Sequence, residues 1–498
     1  MASAYTNFQK RLVLASFLRY QFGMSDAANP KKVKAFYRKL SEVDEGRDKR
    51  GAVSHLVRHL ENKKKFDLRI SHENLLRYDA NIRSHTQKIN EHRDEPITWK
   101  YFQLTAALMT EYYLDRTTSD KEAFAEDLTN FATRVNENRP YIKLPEVKPD
   151  DLDKVAYWIA TGGGKTLLMH LNYYQAFEYL GSEIDHFILL TPNTGLTHQH
   201  REAMRKSGIE SIHASALRDG GGVFGSKSDQ VVKVLEIQRL GYEETDDGKT
   251  IAVDRFEGNN LVFVDEGHKG AQSESKTSWF SRRKDIVGNG FTFEYSATYG
   301  QAVNRSSTDT SFEEDYGRAI LFDYSYQRFY EDGYGKDFRI LNLDPGTDEI
   351  LDANAEVERR YLLANLLAFY EQQFVFENNQ RQFREEFKLE RPLLVFIGNS
   401  VTGSKTVSAI KATKSDRQTV TDVQRLVRFL GEVIRNEDGW AEEAIGQLLA
   451  ENGSLEIGEA EFFKNHFQSL RAARFSPREV LTKMRRQLFH ADGGRLHL

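Results

Sequence analysis

The stretch Ile159-Ala160-Thr161-Gly162-Gly163-Gly164-Lys165-Thr166 follows the apolar run Val155-Ala156-Tyr157-Trp158 and brings together the residue types needed to hold phosphate. Consecutive glycines let backbone amides point into one concave nest. Lys165 carries a charge that reaches the β and γ phosphates of a nucleotide, and Thr166 offers a hydroxyl to Mg²⁺. Thr161, Gly162, Gly163, Gly164, Lys165 and Thr166 are therefore the candidate nucleotide-binding residues. Leu167, Leu168, Met169 and Leu171 then suit a helix whose positive N-terminus faces the same phosphates. A chance glycine turn is the competing reading, and the Gly-Lys-Thr ending argues against it.

Other segments supply what a phosphate nest lacks. Asn260-Leu261-Val262-Phe263-Val264 reads as a buried parallel strand that delivers Asp265-Glu266-Gly267-His268 at its carboxyl end, where an α/β sheet places its chemistry. Asp265 is assigned to Mg²⁺, through a coordinated water, and Glu266 to orienting and deprotonating the water that attacks the γ phosphate. His268 is placed to transmit the state of that phosphate. A solvated turn explains a lone Asp-Glu pair, but less well when the pair lies downstream of Lys165. Phe291-Thr292-Phe293-Glu294-Tyr295 alternates as a strand and runs into Ser296-Ala297-Thr298, which sets small hydroxyl residues beside the phosphates. Phe187-Ile188-Leu189-Leu190 is a further buried strand, ending in Thr191-Pro192-Asn193-Thr194-Gly195. That turn either presents hydroxyl and backbone donors to a nucleic-acid phosphate or is a capped strand-to-helix connection.

In order and spacing these segments resemble the first RecA-like domain of superfamily 2 helicases. The likeness is greatest to the DEAD/DEAH-type family that includes the Res subunits of type III restriction enzymes. Leu-Thr-Pro-Asn-x-Gly-Leu from Leu190, Val-Asp-Glu-Gly-His-Lys-Gly from Val264 and Phe329-Tyr330-Glu331-Asp332-Gly333-Tyr334-Gly335 add to it. Ile159 stands where the strict GxxxxGK[ST] pattern has glycine, a position that phosphate loops of this superfamily relax. The resemblance implies ATP and Mg²⁺ as cofactors. It implies a nucleic-acid contact at Thr191, Pro192 and Asn193, as in motif Ia, and coupling of hydrolysis to that contact through Ser296, Ala297 and Thr298, as in motif III. It implies an ATP-dependent helicase or translocase on DNA, double-stranded by expectation, within a bacterial restriction or phage-defence system. Methyltransferase, nuclease or other defence subunits would then be partners. A nucleotide-regulated interaction subunit that binds ATP without moving a strand is the alternative. A small-molecule P-loop kinase needs neither Asp-Glu-x-His nor Ser-Ala-Thr.

The expected fold class is α/β: a RecA-like P-loop domain with an N-terminal helical domain and an incomplete second RecA-like domain. At 498 residues the chain has room for more than one core. It has no cysteine, which excludes disulfides and thiolate metal sites. Lys10, Arg11 and Arg19 interrupt the apolar groups near the N-terminus, so neither a signal peptide nor a membrane span is expected and the expected location is cytoplasmic. With 69 basic and 74 acidic residues the net charge is −5, so contact with nucleic acid must come from local patches. Lys63-Lys64-Lys65 is the most evident basic run, and a solvated helix face explains it better than a phosphate patch.

Apolar spacing at Tyr101, Leu104, Leu108, Met109, Tyr112 and Tyr113 predicts helix in the first part of the chain, and Pro140, Pro145 and Pro149 mark a boundary. The expected domains are residues 1–145, helical; 146–337, the ATP-binding α/β domain; and 338–498, a helical linker with part of a second RecA-like domain. In the last of these, 353–390 reads as one long helix, 391–398 as a buried strand, and 420–434 and 440–449 as amphipathic helices. Motifs V and VI, with the arginines that stabilise charge on the transferring phosphate, are not found, so turnover by this chain alone is expected to be weak.

Overall fold

A computed structural model of the chain describes residues 8–26, 29–213, 230–241, 250–267, 279–305, 311–335, 355–387, 389–396, 422–457 and 460–489. The strand expected at Phe338–Leu343, the loops at Asp219–Gly222 and Asp246–Gly248, and His268 lie outside these residues. Two compact units divide the chain, Met1–Asp337 and Phe338–Leu498.

The apolar runs of the first unit become strands buried on both faces, as a parallel sheet covered by helices requires. In chain order the strands of this unit are β1 (Lys154–Ile159), β2 (His186–Thr191), β3 (Ser211–His213), β4 (Val232–Glu236), β5 (Leu240–Gly241), β6 (Ile251–Ala252), β7 (Asn260–Asp265), β8 (Phe291–Ser296) and β9 (Ile320–Tyr324), of which β3 is a half-buried edge strand. Seven of them form one sheet in the order β3-β4-β2-β7-β8-β1-β9, while β5 and β6 pair separately. Every pairing in the large sheet is parallel, so all its strands end on the same edge. Register sets Trp158 beside Ser296 and Asp265 beside Tyr295. The ends of β1, β8 and β7 are thereby neighbours.

The helices Val13–Gln21, Pro30–Leu40, His72–Asn90, Tyr101–Ser119 and Lys121–Asn138 precede β1, and their apolar residues share one core with Leu168, Phe187, Phe263, Phe293 and Tyr324. Tyr101–Ser119 is helical, as its apolar spacing predicts, and every residue from 101 to 114 is buried, the polar ones included. Its polar positions are tolerated because each finds a partner. Thr110 meets the Tyr157 hydroxyl at 2.7 Å, and Glu111 accepts from Asn81, Gln175 and Tyr179 at 2.8 to 2.9 Å.

Buried titratable groups make this unit sensitive to acid. Burial lowers the pKa of His170 to about 3, helped by the charges of His200 and Arg93, and burial beside Lys88 lowers His85 to about 4. Both folded values lie below the unfolded one, so the unfolded chain takes up protons that the fold refuses. Their stabilisation is complete above about pH 6.5 and is lost as pH falls toward 4, on the order of 3 kcal/mol for His85 and somewhat more for His170. Glu111 acts in the opposite sense: burial pushes it up to about 7 against its hydrogen bonds, so its contribution is present at low pH and fades as pH rises to 7. Two histidines outweigh one carboxyl, and thermal unfolding scans are expected to show the melting temperature falling between pH 7 and pH 5. His170→Asn, which keeps a group for the Ser207 hydroxyl 2.8 Å from Nδ1, should flatten that slope. An unchanged slope would remove His170 from the account.

In the second unit, Ala355–Asn378, Asp422–Arg435, Trp440–Leu449, Gln468–Ala472 and Pro477–Phe489 are helices around a core that includes Leu363, Leu367, Tyr370, Val433, Ile445 and Leu481. The single helix expected over 353–390 instead breaks at Asn379, which leaves the helical region, and resumes as Gln380–Glu385. The buried strand expected from Leu393 is not formed over its described residues. Leu393 is 83% exposed and Val395 64% exposed. An apolar run becomes a buried strand only where a sheet edge receives its backbone, and the strands among this unit's described residues are an antiparallel hairpin, β10 (Leu455–Ile457) with β11 (Ala460–Phe462). Pro392 lacks a backbone donor, its carbonyl accepts from the Gln373 amide at 2.5 Å, and Arg391 is held by Gln373 and Glu377, so helix side chains take up this segment.

Candidate nucleotide site

At the end of β1 the Ala160 amide donates to the Tyr324 carbonyl of β9 at 2.9 Å, and the Gly163 amide returns to the Ala160 carbonyl at 2.9 Å, closing a tight turn. Gly162 and Gly164 lie in the left-handed region, at φ +84° and +85°. A Cβ on Gly163 would stand 2.6 Å from Ile159 Cγ2, so Ile159, the last residue of β1, itself enforces a glycine there. The helix Lys165–Leu180 starts directly after the turn, with the Leu168 amide donating to the Gly164 carbonyl, which leaves the first amides of the helix free for an anion.

Gln103 joins this loop to the preceding helices, a connection the sequence reading missed. Its Nε2 donates to the Gly163 carbonyl at 3.1 Å while its Oε1 accepts from the Lys100 amide at 3.0 Å. A Cβ on Gly164 would meet the same Nε2 at 2.3 Å. The available signal was a glutamine between the apolar positions Phe102 and Leu104 of a helix start. A cavity of about 530 Å³ opens beside Tyr101, two residues before Gln103, and is also lined by Tyr37, Tyr334, Lys34, Arg38 and Arg328.

β7 delivers Asp265 as expected. Its Oδ1 accepts from the Glu266 amide at 3.1 Å and its Oδ2 from His200 Nε2 at 2.9 Å. Burial pushes the Asp265 carboxyl up, but His200 and the charge of Lys165 outweigh burial and hold it below its ordinary value, so it is ionised. The charge of Lys165 thus reaches the Asp265 carboxylate. Glu266 adopts φ +58°, a conformation that side chains disfavour and that recurs where a functional group is aimed by its surroundings. The Gly267 amide donates to the Tyr295 carbonyl at 3.1 Å, tying the turn to β8.

His200 was also missed. It lies on the helix Thr194–Arg205, on the buried face with Thr197 and Met204, and the three- and four-residue spacing of these positions was the legible signal. Thr191 is 1% exposed, with its hydroxyl 2.6 Å from that of Thr197, and the Asn193 side chain caps the helix by accepting from the Leu196 amide at 3.0 Å. Pro192 is buried. The exposed part of this turn is Asn193, Thr194 and Gly195. Ser296 is buried, with its Oγ accepting from the Thr298 amide at 3.0 Å, and the Ala297 carbonyl accepts from Trp158 Nε1 at 3.1 Å, so the Ser-Ala-Thr turn is pinned to β1.

Among the described residues no group of three or more His, Asp or Glu is arranged to hold a metal by itself. Asp265 and the Thr166 hydroxyl are hard oxygen donors, which suits Mg²⁺ sharing its coordination with phosphate oxygens and water. No helix among the described residues is long and apolar enough to cross a membrane.

The family model "Type III restriction enzyme, res subunit" matches residues 118–301, a span that encloses the phosphate loop, the Thr191 turn, Asp265-Glu266 and Ser296-Ala297-Thr298. A search of the curated proteins finds no match. Among solved structures, the chain aligns with the Sulfolobus solfataricus SWI2/SNF2 ATPase core in complex with dsDNA at 12% identity and a TM-score of 0.27, covering 64% of this chain and 65% of that one. With its parallel sheet, the chain carries an α/β domain of the RecA-like type, and its residues 118–301 are similar to the Res subunits of type III restriction enzymes.

Proposed function

We propose that this protein is an ATP-dependent DNA translocase or helicase. The observation that carries the reading is the convergence of Lys165-Thr166, Asp265-Glu266 and Ser296-Ala297-Thr298 at the adjacent ends of β1, β7 and β8, with the Thr191 turn at the end of β2 beyond them. Lys165 and the amides at the start of its helix bind the β and γ phosphates. Thr166 and Asp265 would hold Mg²⁺, which would supply positive charge to the phosphate oxygens, and Glu266 takes the proton of the attacking water. Thr161, Gly162, Gly163 and Gly164 line the nest. Because the Thr191 hydroxyl and the Asn193 side-chain oxygen are occupied, backbone groups of the exposed Asn193–Gly195 turn serve the DNA phosphate, a contact independent of sequence. Ser296 and Thr298 report the state of the nucleotide through the turn pinned to β1. An arginine acting on the γ phosphate is typically worth about 10³ to 10⁵ in turnover, so slow turnover is expected of this chain alone, in whose sequence motif VI is not found. A place in bacterial restriction or phage defence, with methyltransferase or nuclease partners, rests on the family likeness alone.

ATP hydrolysis measured with and without duplex DNA, over a range of salt, tests this. DNA-stimulated turnover whose stimulation fades with salt supports a motor that tracks phosphates. ATP binding with turnover indifferent to DNA would replace it by a nucleotide-regulated interaction subunit.

A further inference from the structure

Behind the Asp265-Glu266 turn lies a buried polar cluster to which the proposed chemistry assigns no role. Arg283, on the helix Trp279–Val287, has a side chain only 5% exposed, and its Nη1 donates to the Gly267 carbonyl at 2.7 Å. Its Nη2 lies 3.6 Å from Glu294 Oε1 on β8 and 3.4 Å from the Tyr316 hydroxyl. Tyr316 lies 2.6 Å from Glu294 Oε2 and 3.1 Å from the Gly267 carbonyl. Its single proton serves the nearer carboxylate, which leaves Arg283 as the donor to Gly267.

Stability alone does not account for this arrangement. A buried ion pair is commonly replaceable by apolar side chains of similar volume without loss. Here one arm of the guanidinium is spent on a backbone carbonyl one residue beyond Glu266. The two peptide planes that flank Gly267 are both fixed: the first through its amide on the Tyr295 carbonyl, the second through its carbonyl on Arg283. Gly267 has no space for a side chain, since a Cβ would stand 2.7 Å from Glu294 Oε2 and 2.9 Å from the Tyr299 hydroxyl. Glu266, at φ +58°, is therefore held in a conformation disfavoured for a residue with a Cβ by a neighbour clamped on both sides.

We propose that Arg283 is a positioning residue for ATP hydrolysis, fixing the Asp265-Glu266-Gly267 turn through the Gly267 carbonyl while Glu294 and Tyr316 hold the guanidinium. This rests on the proposed function of the same site. Arg283 touches no reacting atom. Its effect falls on the aim of the Glu266 carboxylate, and so on the chemical step rather than on the affinity for ATP.

The test compares Arg283→Met, Arg283→Lys and the double variant Arg283→Met/Glu294→Leu, in the full chain, by melting temperature, ATP dissociation constant, ATP turnover and amide exchange of residues 264–267. Arg283→Met leaves Glu294 buried without its cation and is expected to lower the melting temperature. The double variant removes both charges and is expected to fold. In the double variant turnover should fall at least tenfold with ATP affinity within threefold of wild type, and the Gly267 amide should exchange faster. Arg283→Lys, which keeps the charge, should recover part of the turnover. A folded double variant with wild-type turnover and unchanged exchange at Gly267 overturns the proposal and leaves the ATPase reading standing. A wild-type chain with no Lys165-dependent ATP binding overturns that reading and the positioning role with it.

Discussion

Lys165→Ala is expected to lower ATP turnover by a factor of at least 10² to 10³, the usual effect of removing one preorganised group that stabilises charge on a reacting centre. Two features make the loss severe at this position. The lysine starts the helix Lys165–Leu180, and the glycine turn before it leaves no other side-chain cation on the loop. Its charge also contributes to keeping Asp265 ionised, so its removal weakens the carboxylate proposed for Mg²⁺ as well. Isothermal titration with ATP and Mg²⁺ should show affinity reduced together with turnover, because the β and γ phosphates are held in the ground state too. Retained turnover in the variant would mean that hydrolysis occurs elsewhere or comes from a contaminant.

Glu266→Gln should behave differently. A positioned general base contributes about 10² to 10⁴ in rate, and glutamine keeps the size of the side chain and one accepting oxygen while giving up the carboxylate that takes the proton. The backbone strain at φ +58° is the same for both residues, and Gly267 fixes the turn through its amide on the Tyr295 carbonyl and its carbonyl on Arg283. Folding and ATP affinity are therefore expected to stay near wild type while turnover collapses, leaving a chain that holds ATP. Single-turnover kinetics and nucleotide binding separate the two effects. A variant that hydrolyses at the wild-type rate would move the base to another residue, and one that loses ATP binding would make Glu266 a ligand-holding group. The contrast between Lys165→Ala, which loses both steps, and Glu266→Gln, which loses one, separates holding the phosphates from the chemical step.

Much of the α/β fold was legible because its signals are local. Val155–Ile159, Phe187–Leu190 and Leu261–Val264 are short apolar runs followed by turn residues, and each became a strand of the parallel sheet with its polar residues at the carboxyl end. The helices at Asp422–Arg435 and Trp440–Leu449 followed from periodicity in the same way. The same rule misled at Leu393–Phe396, where an apolar run lies exposed along a helix, because hydrophobicity states what a segment gains from burial and not whether a sheet edge is there to receive it. It also overran the helix break at Asn379, which no proline or glycine announces.

By itself the sequence determined which residues carry the proposed chemistry and in what order. Glycines able to enter the left-handed region, a lysine at a helix start and carboxylates at a strand end are properties of contiguous chain, set by backbone sterics and hydrogen bonding within a few residues. Only the tertiary structure decided what holds them: Gln103 on the Gly163 carbonyl, His200 on Asp265 and Arg283 on the Gly267 carbonyl. Those partners lie 60, 65 and 16 residues apart and on separate elements. Periodicity tells which face of a helix is buried, but which donor meets which acceptor depends on the ångström-scale placement of one packed element against another, and that is fixed only when the whole core closes.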